Sequence, residues 1–221
     1  MKPSTLLASI TLLVVITGIW FFLNRATSVA PAVSDYKNIS YTIEGQPIAL
    51  IEGKAETAAV PGSSSKYVTQ YFGNDAKGDL NSDGAPDTAF ILTQFTGGSG
   101  MFYYVVAALQ NADGTSVGTN GVMLGDRIAP QSTEIKNGEI IVSYAERRAN
   151  EPMTASPSVA ISKHLKVTGT NLSELARMVT QGEKCGGNMA NAPVCVAGLH
   201  CAAAKGSKLP FGDVGGTCVS D

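Results

Sequence analysis

Histidine is scarce in this sequence, which contains only His164 and His200 among its 221 residues. His200 lies among the cysteines and His164 lies in a β-like run, so packing or surface roles are favoured for both over acid–base catalysis. The chain also lacks the Gly-x-Ser-x-Gly turn of many serine hydrolases and the His-Glu-x-x-His helix of zinc peptidases. These absences argue against two common hydrolytic mechanisms.

Positive charge is not in excess either. Lys and Arg number 16 against 18 Asp and Glu, and the formal net charge is -2. Because nucleic acids are bound by clustered basic side chains, we expect no nucleic-acid partner. The content of 44% hydrophobic and 15% charged residues is typical of a globular protein with a sizeable core.

Charged residues are absent between positions 5 and 23. A helix over this run would span about 28 Å, close to the thickness of the hydrocarbon core of a bilayer. A cleaved signal peptide is the alternative, but its apolar region is usually shorter, and the nearest small-residue cleavage site is followed by Pro31. We therefore expect residues 1–25 to be an uncleaved signal anchor, a single transmembrane helix in the cell membrane. Lys2 and the amino terminus place more positive charge before the apolar run than Arg25 places after it. Because positively charged flanks usually stay in the cytoplasm, this favours placing the rest of the chain outside the cytoplasm.

Cysteine is absent before Cys185, and the four cysteines of the chain end at Cys218. An even number in a short segment behind a membrane signal indicates disulfides formed outside the cytoplasm. A zinc site is the alternative, and the segment lacks the paired Cys-x-x-Cys spacing that would favour it. We expect a small disulfide-rich module at residues 185–221.

This segment resembles the second half of the amino-terminal domain of insulin-like growth factor-binding proteins. The resemblance is carried by a Cys-Gly pair, a Cys-x-x-Gly-Leu-x-Cys segment and a closing Gly-x-Cys, which are Cys185-Gly186, Cys195 to Cys201, and Gly216 to Cys218. It implies the pairs Cys185–Cys201 and Cys195–Cys218, one of the three pairings that four cysteines allow. Two cysteine spacings differ from that family, so growth-factor binding is not expected. A small cysteine-rich protease inhibitor is an alternative role.

Most of the chain between these ends consists of short β-like runs separated by turns. The run at residues 102–109 is apolar nearly throughout, which is typical of a strand covered on both faces, and we place it at the centre of a sheet. Asn137-Gly138 lies between two alternating runs and is the strongest hairpin signal in the chain. The pattern predicts a mainly β protein, with an antiparallel β domain at residues 39–170.

The segments around this domain have their own patterns. Residues 26–38 are rich in Ala, Ser, Val and Pro and are predicted to be a linker. Residues 55–65 contain Pro, Gly and three serines and are predicted to be a loop. Residues 171–184 are predicted to be a short helix or linker. The helix would cover residues 171–180, with Asn171 as its N-cap and apolar residues at helical spacing, which are Leu172, Leu175, Met178 and Val179.

Oxygen-bearing residues alternate around one glycine between Asp79 and Asp87. The loop could supply Ca²⁺ with oxygen ligands at alternate positions. Side chains would serve at the first, third, fifth and ninth positions and a main-chain carbonyl at the seventh, which are Asp79, Asn81, Asp83, Asp87 and Ala85, respectively. An EF-hand would need an acid at the twelfth position, which is Phe90. The segment resembles the calcium loops of FG-GAP β-propeller repeats, in one copy. We expect a calcium loop that stabilises the domain, with a metal-free β-turn as the alternative.

Residues 41–167 resemble uncharacterised envelope-anchored proteins of bacteria, including those of small-genome candidate phyla. The segments that carry the resemblance are residues 71–74, 78–87, 97–100, 102–106 and 124–130. It implies an exported bacterial protein and supplies no activity.

The expected function is therefore that of a membrane-anchored, extracytoplasmic, calcium-stabilised protein that acts in binding or surface structure. Its membrane contact would be the N-terminal helix, and its ligand would be a protein or a glycan. Tyr103 and Tyr104, beside Gly-rich turns, are candidates for lining a groove, although core packing is the simpler interpretation. An envelope hydrolase, a protease or glycosidase that uses Glu146 and Glu151 as a carboxylate pair, is the alternative.

Overall fold

The computed structural model describes residues 35–60, 62, 64–187, 192–203 and 215–220. The predicted anchor and the linker up to residue 34 lie outside these ranges. Within the described ranges, no helix has the length and apolar character that crossing a bilayer requires.

The described chain is built almost entirely from strands. A 3₁₀ turn at Tyr36–Asn38 comes first. The strands, numbered in chain order, are β1 (Ser40–Ile43), β2 (Gln46–Ala49), β3 (Lys54–Ala58), β4 (Lys66–Gly78), β5 (Asp87–Phe95), β6 (Met101–Gln110), β7 (Ser116–Gly118), β8 (Val122–Asp126), β9 (Ala129–Lys136), β10 (Glu139–Glu146), β11 (Val159–Thr168), β12 (Asn171–Glu174), β13 (Met178–Val179), β14 (Lys184–Cys185), β15 (Val194–Cys195), β16 (Leu199–Ala203) and β17 (Gly216–Ser220).

The larger sheet contains β3, β4, β5, β6 and β7 in that order, and β8 pairs with the other half of β6. Strands β5 and β6 are buried along most of their length, and Phe90 and Val105 have no exposed surface. Burial on both faces explains their continuous apolar sequences. Strand β6 is paired on both sides, so residues 102–109 form an interior strand as predicted, although β5 rather than β6 is the middle strand of the sheet.

The smaller sheet contains β12, β11, β10 and β9, all antiparallel. Asn137 and Gly138 join β9 to β10 with φ values of 52° and 73°, which the left-handed conformation of a tight hairpin turn requires, so the predicted hairpin is confirmed. The two sheets enclose one core, to which both contribute, including Ile91, Val105, Ile140, Val142 and Leu165. The mainly antiparallel β architecture predicted from the sequence is therefore confirmed.

The hairpin of β1 and β2 covers the other face of the larger sheet. Its two-residue turn is Glu44-Gly45, with φ values of 48° and 76°. Thr42 N donates to Thr119 O at 3.2 Å, and Gly121 N donates to Thr42 O at 2.7 Å, so β1 is hydrogen-bonded to the segment after β7. The hairpin and the sheet share a second core that includes Tyr41, Ile43, Ile48, Phe90, Leu92 and Tyr104.

The loop predicted at residues 55–65 is wrong in its first part. Strand β3 pairs with β4 along its whole length, and Ala55 packs into the second core. Few residues of β3 have high strand propensity, so its pairing with β4 and the burial of one face form this strand.

The helix predicted at residues 171–180 is also wrong, because that segment contains β12 and β13. Leu172 is buried in the core between the two sheets, whereas Val179 is buried in a separate core near the cysteines. Met178 is 59% exposed. The apolar residues therefore serve different cores, and their helical spacing does not describe one buried face.

The cysteine segment forms an antiparallel sheet in the order β14, β17, β16 and a parallel pair of β13 with β15. The structure pairs Cys185 with Cys201 and Cys195 with Cys218, the pairing that the resemblance implies, with Cα–Cα distances of 5.8 and 5.7 Å. Val179, Cys185 and Cys218 are its buried core. A core this small depends on its disulfides for stability.

Candidate functional site

The acidic loop joins β4 to β5 and is closed by its own side chains. Asp79 Oδ1 accepts a hydrogen bond from Ser82 N at 2.6 Å, and its Oδ2 accepts one from Gly84 N at 3.0 Å. Asn81 Oδ1 accepts from Asp83 N at 3.0 Å. Gly84 has a φ of 84°, which permits the sharp turn. The backbone therefore wraps around the oxygens of the first and third loop positions.

Asp87 ends the loop and has no exposed surface. Its Oδ2 accepts a hydrogen bond from Leu80 N and its Oδ1 accepts one from Gln110 N, each at 2.8 Å. Burial raises the pKa of the Asp87 carboxyl, and the charges of Asp83 and Asp79 add to the rise, while the two backbone hydrogen bonds oppose it. The loop carboxylates are thus close enough to repel one another, and a cation would relieve that repulsion.

The loop offers only oxygen donors: the three carboxylates, the Asn81 amide and the Ala85 carbonyl, a set that suits Ca²⁺. Among the described residues, the one group of three Cys, His, Asp or Glu ligand atoms within 4.8 Å of one another belongs to the disulfide cysteines. The loop carboxylates therefore do not converge to that distance. Their donor chemistry fits calcium.

A second feature is a cavity of about 810 Å³ on the outer face of the larger sheet, which we call the groove. The turn of the β1–β2 hairpin forms one side, and residues 57–60 at the end of β3 form the other. The sheet face between them contributes Tyr67, Gln94, Phe102, Tyr104 and Met123. The volume is within the range of about 300 to 1,000 Å³ that is typical of ligand sites.

Gln94 is the buried polar group of the groove, with 5% of its surface exposed. Its Nε2 donates to Thr69 Oγ1 at 3.1 Å. Gln94 is thus a polar group among the mainly apolar lining residues of the groove, where it could hydrogen-bond to a ligand.

The rim of the groove carries one carboxylate. Glu44 is exposed on the hairpin turn and is the single charged side chain among the described residues that line the groove. Burial raises the pKa of the Tyr104 phenol to about 12, and the charge of Glu44 and its interaction with the hydroxyl contribute. Tyr104 is therefore a neutral hydrogen-bonding group at physiological pH, beside a negative charge.

The other candidates from the sequence lie elsewhere. Tyr103 packs on the core between the sheets, on the face opposite Tyr104. Neither Glu146 nor Glu151 lines the groove. The Glu151 carboxylate accepts from Arg148 N at 2.9 Å and pairs with its guanidinium at 3.3 Å. These two carboxylates therefore do not face each other across the groove.

No pattern in the sequence singles out Gln94 or the groove. Gln94 lies between Thr93 and Phe95 near the end of β5, and a polar residue there is a weak signal because strand ends are often polar. The groove itself depends on where a distant hairpin lies on the sheet. Comparison of the chain with protein families, with curated proteins and with solved structures found no match.

Proposed function

We propose that this protein is a membrane-anchored, extracytoplasmic binding protein, whose β domain is stabilised by calcium and whose ligand occupies the groove. The observation that carries the binding role is the groove itself. It combines apolar walls with the buried side chain of Gln94 and one carboxylate, which is the usual composition of a ligand site. The geometry supports binding better than catalysis, because the groove holds no second carboxylate or histidine among its described lining residues.

Calcium would be held by Asp79, Asn81, Asp83, the carbonyl of Ala85 and Asp87. The loop connects the long strand β4 with the buried strand β5, so an ion there would fix how these two strands meet. Its role would be to stabilise the domain by binding the folded state. Extracellular fluids are rich in calcium, which is consistent with a site of moderate affinity.

The location outside the cytoplasm is supported by two independent features. The uncharged run at residues 5–23 has the length of a membrane span. The four cysteines form two disulfides, which are characteristic of oxidising compartments.

Dye binding tests the groove. Residues Val33–Asp221 form one compact unit, and this fragment would be titrated with 1-anilinonaphthalene-8-sulfonate, an anionic dye that fluoresces in apolar sites. We expect saturable binding that Met123→Glu weakens, because the new carboxylate faces the groove. Val117→Glu is the matched control, since Val117 has a similar exposure, 43% against 40%, and does not line the groove. Equal loss in both variants, or no saturable binding, would argue against a ligand site there.

A further inference from the structure

The outer edge of β3 borders the groove, and its backbone groups follow the alternation of an antiparallel ladder. Tyr71 N donates to Gly53 O, and Ala59 N donates to Ser65 O, so the odd-numbered residues of this segment point their peptide groups toward β4. The even-numbered residues therefore point theirs away from the sheet.

Lys54 confirms this alternation. Its N–H donates to Ile51 O and its carbonyl accepts from Ile51 N, so neither backbone group bonds to β4. The next two outward positions are Glu56 and Ala58. Strand β3 pairs with β4 alone among the described strands, so the N–H and C=O groups of these two residues have no strand partner there. Ala58 also lines the groove. One side of the groove is therefore an unpaired strand edge.

The facing edge of the hairpin is less able to accept a strand. Glu44-Gly45 is a two-residue turn, so Ile43 and Gln46 are the first hydrogen-bonded pair and the groups of Pro47 point outward. Proline has no N–H and is typical of edges that do not pair. Pro47 lines the groove opposite Ala58, so β3 is the edge that remains available for pairing.

We propose that the groove binds an extended peptide, which adds as an antiparallel or parallel strand to the outer edge of β3. This inference rests on the binding role proposed above and specifies its ligand. The peptide backbone pairs with Glu56 and Ala58, and alternate side chains enter the groove, as in other cases of strand addition.

The groove also defines which peptides fit. Its apolar lining, which includes Phe102 and Met123, selects apolar side chains at every second position. The Gln94 side-chain amide lies in the same lining and can hydrogen-bond to a polar group of the peptide. Glu44, the one charged side chain of the described lining, favours a lysine or arginine near one end of the peptide by charge complementarity.

Selection from a library tests the inference. Phage that display random seven-residue peptides would be selected on the full chain in lipid nanodiscs, after removal of phage that bind empty nanodiscs. Enriched peptides would be synthesised and their affinities measured by fluorescence polarisation. We expect enriched sequences in which apolar residues alternate and a basic residue lies near one end.

Two variants of the protein form a matched pair. Ala58→Pro removes the outward N–H of β3 without touching the ladder to β4, and we expect about tenfold weaker binding, the loss of a good hydrogen bond. Ala58→Val enlarges the same side chain but keeps the N–H, so it should weaken binding less than Ala58→Pro. Glu44→Gln should abolish the preference for a basic residue. Thermal unfolding of each variant separates loss of binding from loss of folding.

Methylation of single peptide amides gives a second readout that does not depend on variants of the protein. Because only alternate amides face β3, methylation should weaken binding at every second position and have little effect between. Selection of no peptide, or binding that shows neither this period nor sensitivity to Ala58→Pro, would overturn the inference. If the dye still binds the groove in that case, the groove takes a small apolar ligand and the proposed binding role stands.

Discussion

Removal of the Asp87 carboxylate should destabilise the fold even when no calcium is present. Asp87 is fully buried and accepts hydrogen bonds from Leu80 N and Gln110 N, both at 2.8 Å. Asp87→Ala leaves two donors without a partner, and each buried unsatisfied donor costs about 1–3 kcal/mol. The raised pKa of Asp87 shows that burial of its charge is unfavourable, so some of this loss is regained. We expect a net loss of about 2–4 kcal/mol.

Asp83→Ala is the matched control for this prediction. The Asp83 side chain is exposed and accepts from Ala85 N at 2.8 Å, so its loss should cost less than about 1 kcal/mol in chelator. Both variants would be unfolded with urea and followed by circular dichroism, with a chelator and then with millimolar calcium. Calcium should stabilise the wild type and neither variant. Equal stability of Asp87→Ala and wild type in chelator would refute the structural role assigned to this carboxylate.

Three further predictions concern pH, the disulfides and one glycine. Burial raises the pKa of Asp87 in the folded state, so at pH values between its unfolded and folded pKa the folded protein binds more protons than the unfolded chain. In chelator, the contribution of Asp87 to stability should therefore rise as the pH falls through the folded pKa. The stabilisation by calcium should shrink toward pH about 4, because protonated carboxyls bind the ion poorly, and urea unfolding across pH would measure both effects. Replacement of Cys195 and Cys218 by serine should cost about 3 kcal/mol in the stability of the cysteine module, because that disulfide closes a separation of 23 residues, and calorimetry should show the β domain melting unchanged. Gly118→Ala would place a Cβ 2.2 Å from Ser40 O and displace β1, at a cost of about 1–3 kcal/mol, whereas Gly98→Ala meets no atom within 4 Å and should be neutral in the same thermal melts.

The parts of the fold that the sequence predicted are those in which local pattern and burial agree. Strands β5 and β6 are apolar because both faces are covered, and Asn137-Gly138 adopts the positive φ values that a hairpin turn needs. The oxygen-rich loop is also local, since its spacing and its glycine are visible without the fold.

The parts that the sequence did not predict depend on contacts between distant segments. Strand β3 alternates Lys, Ala, Glu and Thr, and only its pairing with β4 and the burial of Ala55 make it a strand. Leu172 and Val179 have helical spacing but belong to different cores. The groove lies between the β1–β2 hairpin and the end of β3, an arrangement of distant segments that no local pattern encodes.

The open edge of β3 is protected from pairing to different degrees along its length. Charged residues and proline usually protect open edges from unwanted pairing. Strand β3 carries Glu56, which is held between Lys54 and Lys66 in ion pairs of 3.0 Å on the sheet surface. Ala58, farther along the same edge, has no such protection. The edge is thus least protected at Ala58, the one of its two outward positions that lines the groove.

Calorimetric titration of calcium into the full chain would show whether the acidic loop binds the ion. We predict one ion per chain with a Kd of about 10⁻⁴ M, in the range of extracellular calcium modules. Asp83→Ala should abolish the binding heat, whereas Asp113→Ala should leave it unchanged, because Asp113 is an exposed acid that bonds Thr115 in a separate turn. Absence of binding heat in the wild type, or equal binding by Asp83→Ala, would contradict calcium binding at this loop.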